Sequence, residues 1–174
     1  MIAQRIENLD ICSECGGACC ENMPGAAFPE DFGITPRMPR IQIQQIIQDR
    51  LSSGKWQIDL YDLKPIDRDF FGPHDAPAMF LRPAIRLPLG RVSYQCPPKS
   101  GCIFQSIRGC ELSLQERPLG CSSLIPSPEG QMCKMPVDDM HRESAKAWFE
   151  YEEEILDAKM YALDTIRKRL SETS

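Results

Sequence analysis

Histidine occurs only twice in 174 residues, at His74 and His141, and no Ser-His-Asp or Cys-His arrangement can be assembled from two such isolated residues. Also missing is a glycine-rich phosphate loop of either familiar kind, so nucleotide-dependent chemistry has no support. No window approaches the eighteen uninterrupted apolar residues of a membrane span. The longest apolar stretch, residues 76–89, is broken by Pro77, Arg82, Pro83, Arg86 and Pro88. Acidic residues stand near the N-terminus where a leader needs an apolar run, so export is not expected. Basic residues are in deficit, 20 against 25 acidic, for a formal charge of -5, which disfavours a nucleic acid partner. Cysteine is absent between Cys20 and Cys96.

What remains fits one folded unit over 1–174, long enough to bury an apolar core. The hydrophobic share of 42% and the charged share of 26% point to an ordinary globular chain. Prolines and a glycine in Phe28-Pro-Glu-Asp-Phe-Gly-Ile-Thr-Pro interrupt every period, so irregular structure packing over the site is expected there. Residues 39–51 repeat Ile41, Ile43, Ile46, Ile47 and Leu51 at helical spacing, and Gly54 supplies a stop. Residues 56–63 carry strand-favouring side chains. Segments 79–87 and 90–95 are expected to pair with each other or with the 56–63 segment, as edges because of Pro83 and Pro88.

From about 138 to 171 the recurrence of Ala145, Trp148, Phe149, Ile155, Leu156, Met160, Leu163, Ile166 and Leu170 predicts one long amphipathic helix. Its charges, Glu150, Glu152, Glu153 and Glu154 and then Arg167-Lys168-Arg169, are expected on a solvated face. Its apolar stripe covers the core or, alternatively, serves self-association or a protein partner. The fold expected is a small α+β domain: short strands, irregular loops organised by cysteine-bound metal, and this C-terminal helix.

Nine cysteines form two groups. The first is Cys12-Ser-Glu-Cys15-Gly-Gly-Ala-Cys19-Cys20. A Cys-x2-Cys step lets two sulfurs converge on one ion, and Gly16 and Gly17 free the backbone to bring Cys19 and Cys20 to the same locality. Because adjacent side chains diverge, Cys19 and Cys20 are also suited to two neighbouring ions. Clustered thiols and an odd count favour metal over disulfides and a reducing, cytoplasmic compartment. Zinc and iron, in mononuclear, multinuclear or iron-sulfur form, all remain open on spacing alone. The second group, Cys96, Cys102, Cys110, Cys121 and Cys133, is spaced too widely to be diagnostic by itself.

Together the two groups resemble the CxxCxxCC cysteine-cluster family, the YkgJ-type zinc- or iron-chelating domains. The likeness is carried by the first cluster and by Cys102-Ile-Phe, Cys110-Glu-Leu and Arg117-Pro-Leu-Gly-Cys121, where the family has Cys-Pro-Phe, a later Cys and Arg-Pro-x-x-Cys. It covers residues 12–121. This chain has an extra residue before the Cys19-Cys20 pair, Ile103 in place of a proline, and Ser122 where an arginine is common. The resemblance implies Cys12, Cys15, Cys19, Cys20, Cys102, Cys110 and Cys121 as metal ligands. Cys96 and Cys133 fall outside it; two four-sulfur sites need eight thiols, and of these two extras Cys133 is preferred over Cys96 as the eighth.

Around this set, Arg117 either neutralises a nearby thiolate or forms a surface ion pair. Ser113 and Glu116 fit a capping box. His141 is a lesser ligand candidate and His74 a weaker one, while Asp67, Asp69 and Asp75 read as a hydrated acidic loop. The function expected is a cytoplasmic zinc- or iron-binding protein with a structural or metal-handling role. The alternative is an iron-sulfur redox enzyme or a protein-modifying, methyltransferase-associated enzyme, for which no catalytic residue can be named.

Overall fold

Pro39 holds an extended ψ of 137° before a run rich in isoleucine and glutamine, and from there the chain turns into helix α1, Arg40–Ser52. The computed structural model describes residues 20, 25–73, 76–85, 101–106, 109–124 and 140–172, with side chains to residue 164. Helix α1 buries Ile43, Ile47 and Leu51 and ends as the Gly54 amide donates to the Leu51 carbonyl at 3.1 Å. Ile41, placed on the apolar face by periodicity, is 73% exposed.

Strand β1, Trp56–Tyr61, pairs antiparallel with β2, Ala78–Pro83, in a register running from Trp56 opposite Pro83 to Tyr61 opposite Ala78. Of the pairings anticipated for the 79–87 segment, the one with the Trp56 segment forms; residues 90–95 lie outside the described residues. Pro83 closes β2 at its end, where a missing amide costs least. Ala27 adds an isolated bridge to Leu81, so a residue soon after the first cysteine cluster joins the sheet. The connection between the strands carries a 3-10 turn, Pro65–Asp67, and the short helix α2, Arg68–Phe71.

After β2 come a two-residue hairpin, β3, Gln105–Ser106, with β4, Gly109–Cys110, and the short helix α3, Leu119–Ser122. The C-terminal segment is not one uniform helix. Helix α4, Met140–Trp148, passes through a 3-10 turn at Phe149–Tyr151 into α5, Glu152–Glu172. A side chain intrudes at that point: Arg40 Nη1 donates to the Glu150 carbonyl at 2.6 Å. Such an intrusion diverts a carbonyl from the helical ladder and locally tightens the turn.

The same guanidinium corrects one residue of the expected solvated face, on which Glu150 and Glu153 are exposed as anticipated. Glu154 is buried and ion-paired to Arg40 at 2.9 Å, as a buried carboxylate requires. The buried stripe also differs. Ile155, Ala158 and Ala162 face inward, where α5 packs along α1, while Leu156, Met160 and Leu163 are 49%, 64% and 37% exposed. Small alanines let two helices approach closely; the bulkier residues lie about a third of a turn away, outside that seam. One hydrophobic cluster runs from Ala26 through Phe80, Leu81 and Trp148 to Ala162. Among the described residues, no helix is long and apolar enough to cross a membrane.

Candidate metal centre

Cys20, half-buried, marks where the first cysteine cluster meets the described fold. Its carbonyl accepts the Cys102 amide at 2.9 Å. Cys102, buried at 4% exposure, is held from its other neighbours as well. It bridges Ile85, and the Ile103 amide donates to the Ala84 carbonyl at 2.8 Å, so the Cys102 turn is stitched to the prolongation of β2. One main-chain hydrogen bond thus joins Cys20, of the first group, to Cys102, of the second.

Cys110 follows through the hairpin. It pairs with Gln105, and the Glu111 amide donates to the Phe104 carbonyl at 2.8 Å. Phe104 anchors this unit in the core against Trp56, with ring centroids 5.7 Å apart. The next turn is the anticipated capping arrangement. The Ser113 amide donates to Glu116 Oε2 at 3.0 Å, and the Glu116 amide donates back to the Ser113 carbonyl. The hydrogen bonds to Ser113 hold the exposed Glu116 carboxyl below its usual range.

Cys121 comes last, on α3. A contact between backbones seats it: the Gly120 amide donates to the Ala26 carbonyl at 3.0 Å. A methyl group on Gly25 would fall 2.6 Å from the Cys121 nitrogen, and one on Gly120 would fall 2.7 Å from the Ala26 nitrogen. No side chain fits between these strands of backbone. Arg117, of the two roles open to it, stands near Cys121. Burial lowers its pKa and the Cys121 sulfur, as a neighbouring negative charge, opposes that, while its Nε donates to the Leu112 carbonyl at 3.0 Å.

The segment between the clusters is itself clamped. The Ala27 carbonyl accepts both Ser144 Oγ and Trp148 Nε1, each at 2.7 Å, and the Ala27 amide donates to the Leu81 carbonyl at 2.8 Å. The Pro29–Phe32 turn, read as irregular from its prolines, is a 3-10 helix whose Asp31 carboxylate reaches the start of α3. It does pack beside the Cys121 turn. Neither Asp31 nor the Gly25 and Gly120 contact was visible in the cysteine spacing, although Gly120 inside Arg117-Pro-Leu-Gly-Cys121 is a place where a small residue is a signal of close approach.

Of the predicted ligands, Cys20, Cys102, Cys110 and Cys121 stand in this region; Cys12, Cys15, Cys19 and Cys133 lie outside the described residues, as do Cys96, His74 and Asp75. Among the described residues no disulfide joins two cysteines, and no group of three or more ligating side chains is assembled. His141 is packed rather than presented: its ring stacks on Phe80 with centroids 5.2 Å apart and planes at 24°. Asp67 is not hydrated but buried, accepting Tyr61 Oη at 3.0 Å and the Lys64 amide at 2.9 Å, which makes it a turn-holding residue. Asp69 remains exposed. Comparison with family models, with curated proteins and with solved structures finds no match to this chain.

Proposed function

We propose that this chain is a metal-binding protein in which thiolates from both cysteine groups hold zinc or iron, in a structural or metal-handling role. The reading is supported above all by the hydrogen bond from the Cys102 amide to the Cys20 carbonyl. That bond places one cysteine of each group at adjoining points of the backbone, and sulfur is the donor that zinc, iron and iron-sulfur clusters share. Cys20, Cys102 and Cys121 fit as donors from the described fold, with Cys110 on the adjoining hairpin. The Cys12-x2-Cys15 step completes the set in this proposal, alongside Cys19 and Cys133.

Bound metal would supply a cross-link between these segments. Before binding, each thiol must lose its proton, and a cationic neighbour such as Arg117 favours that loss. Main-chain amides around Cys102 and Cys121 fix the backbone that carries the sulfurs, so little ordering is left to be done when the ion enters.

The deciding experiment is elemental analysis with an absorption spectrum on protein purified without air. At least one equivalent of zinc or iron per chain is expected, and replacing Cys12 and Cys15 together by serine should abolish it. Unchanged metal content in the double variant would refute the ligand assignment, and a metal-free wild-type chain would refute the function.

A further inference from the structure

Asp31 belongs to no cysteine motif, yet its carboxylate ties the segment that follows the first cluster to the turn that carries Cys121. Leu119, the first residue of α3, donates its amide to both oxygens, 3.0 Å to Oδ1 and 2.9 Å to Oδ2, from 88 residues away in the chain. The Phe28 amide donates to Oδ2 at 2.8 Å. An ordinary cap takes an amide of its own helix. Here Pro118 occupies the cap position of α3 and offers no side-chain acceptor, so the acceptor comes from the segment that follows the first cysteine cluster.

That origin matters because α3 is the turn that carries Cys121. The Cys121 and Ser122 amides are satisfied by Pro118 at 2.8 and 3.0 Å. The remaining amides at the start of the turn point across to the other segment, Leu119 to Asp31 and Gly120 to the Ala26 carbonyl. The second of these is made by backbone and cannot be removed by changing a side chain. The first depends wholly on one carboxylate.

Resting on the metal reading above, we propose that Asp31 is a positioning residue of the centre: it sets where Cys121 stands relative to the 25–31 segment without being a ligand itself. Groups that orient a metal's ligands from behind typically contribute about 10- to 100-fold in affinity. The position of the carboxylate, more than its charge, is what acts. A single oxygen placed where Oδ2 lies can accept both Leu119 and Phe28, whereas moving the group by one methylene displaces both.

The test uses the full chain, purified without air, and follows the zinc or iron retained against a graded excess of a chromogenic chelator, with circular dichroism and thermal unfolding alongside. Asp31→Ala is expected to weaken retention by about 10- to 100-fold. Asp31→Glu should weaken it similarly, and Asp31→Asn should stay within a few-fold of wild type. Ile47→Ala, a core truncation on α1 with no bond to the Asp31 or Cys121 turns among those described, should lower the unfolding temperature and leave retention unchanged. Should Asp31→Ala fail to fold, the contrast between Glu and Asn carries the same decision. Wild-type retention in the Ala and Glu variants overturns the positioning role while leaving the metal function standing. Loss of metal in Ile47→Ala in proportion to its lost stability also overturns it, since any destabilisation would then suffice. A wild-type chain without metal removes the centre itself, and the inference with it.

Discussion

A methyl group suffices to probe the seam at Gly120. Two backbones meet there with no space for a side chain, and neither can retreat easily. The facing residue is Ala26, and the next one, Ala27, is pinned by Leu81, Ser144 and Trp148. Gly120→Ala is therefore expected to destabilise the fold by about 1–3 kcal/mol, the usual range for overpacking in a tight site. Chemical denaturation would report it as a lower midpoint at unchanged slope. A variant as stable as wild type would mean that the two segments slide apart at no cost. A different residue-scale economy governs Asp59 and Arg82, which form a buried ion pair in the sheet. Such pairs are compensated rather than strongly stabilising.

Helix α1 and the junction between α4 and α5 share one element-scale device: Arg40. It takes the Glu150 carbonyl, pairs with Glu154, and lies 5.7 Å from the centre of the Tyr151 ring. Tyr151 itself is buried, and burial is the main reason that its phenol is raised from 10.0 to about 12; the neighbouring Glu150 adds to the effect and Arg40 opposes it. The sign follows from which form the fold favours. Folding prefers the neutral phenol, so this contribution to stability is fully present below pH 10 and is lost as pH rises from 10 toward 12. An absorbance titration should show phenolate still forming near pH 12. Tyr151→Phe should delete that step and flatten the alkaline limb of the stability curve. If Tyr151→Phe removes no absorbance change near 12, the buried environment described for this ring is wrong.

At the scale of the whole molecule, the elements that carry Cys110 and Cys121 are among the shortest of the described fold. The apolar cluster includes Cys102 and Phe104 but is built mainly from α1, the sheet, α4 and α5, while Cys110 and Cys121 sit on a two-residue hairpin and a four-residue helix. Elements that short are not stable alone. On the proposed function, stripping the metal should lower the unfolding temperature substantially, with the cysteine turns lost first; in small domains structural zinc supplies about 10–16 kcal/mol. Thermal unfolding and amide exchange before and after chelation would measure it. Selective loss of protection at residues 101–124, with α1 and α5 still protected, is the expected pattern. No change on chelation would show that the fold stands without metal.

Much of this was legible along the chain. The isoleucine spacing of 39–51, the glycine that stops it and the C-terminal periodicity are local properties, set by 3.6 residues per turn and by backbone sterics. The capping contact of Ser113 and Glu116 was legible for the same reason. What only the tertiary structure decided is which partner each face meets. Periodicity marked Leu156, Met160 and Leu163 as apolar, but the approach of α1 selected Ala158 and Ala162. A run of glutamates looked solvated until Arg40 arrived from the other end of the chain to bury Glu154. The meeting of Cys20 with Cys102, and of Asp31 with Leu119, has no local signature at all. Such contacts join residues far apart in the chain, and their geometry is set by the packing of everything between them.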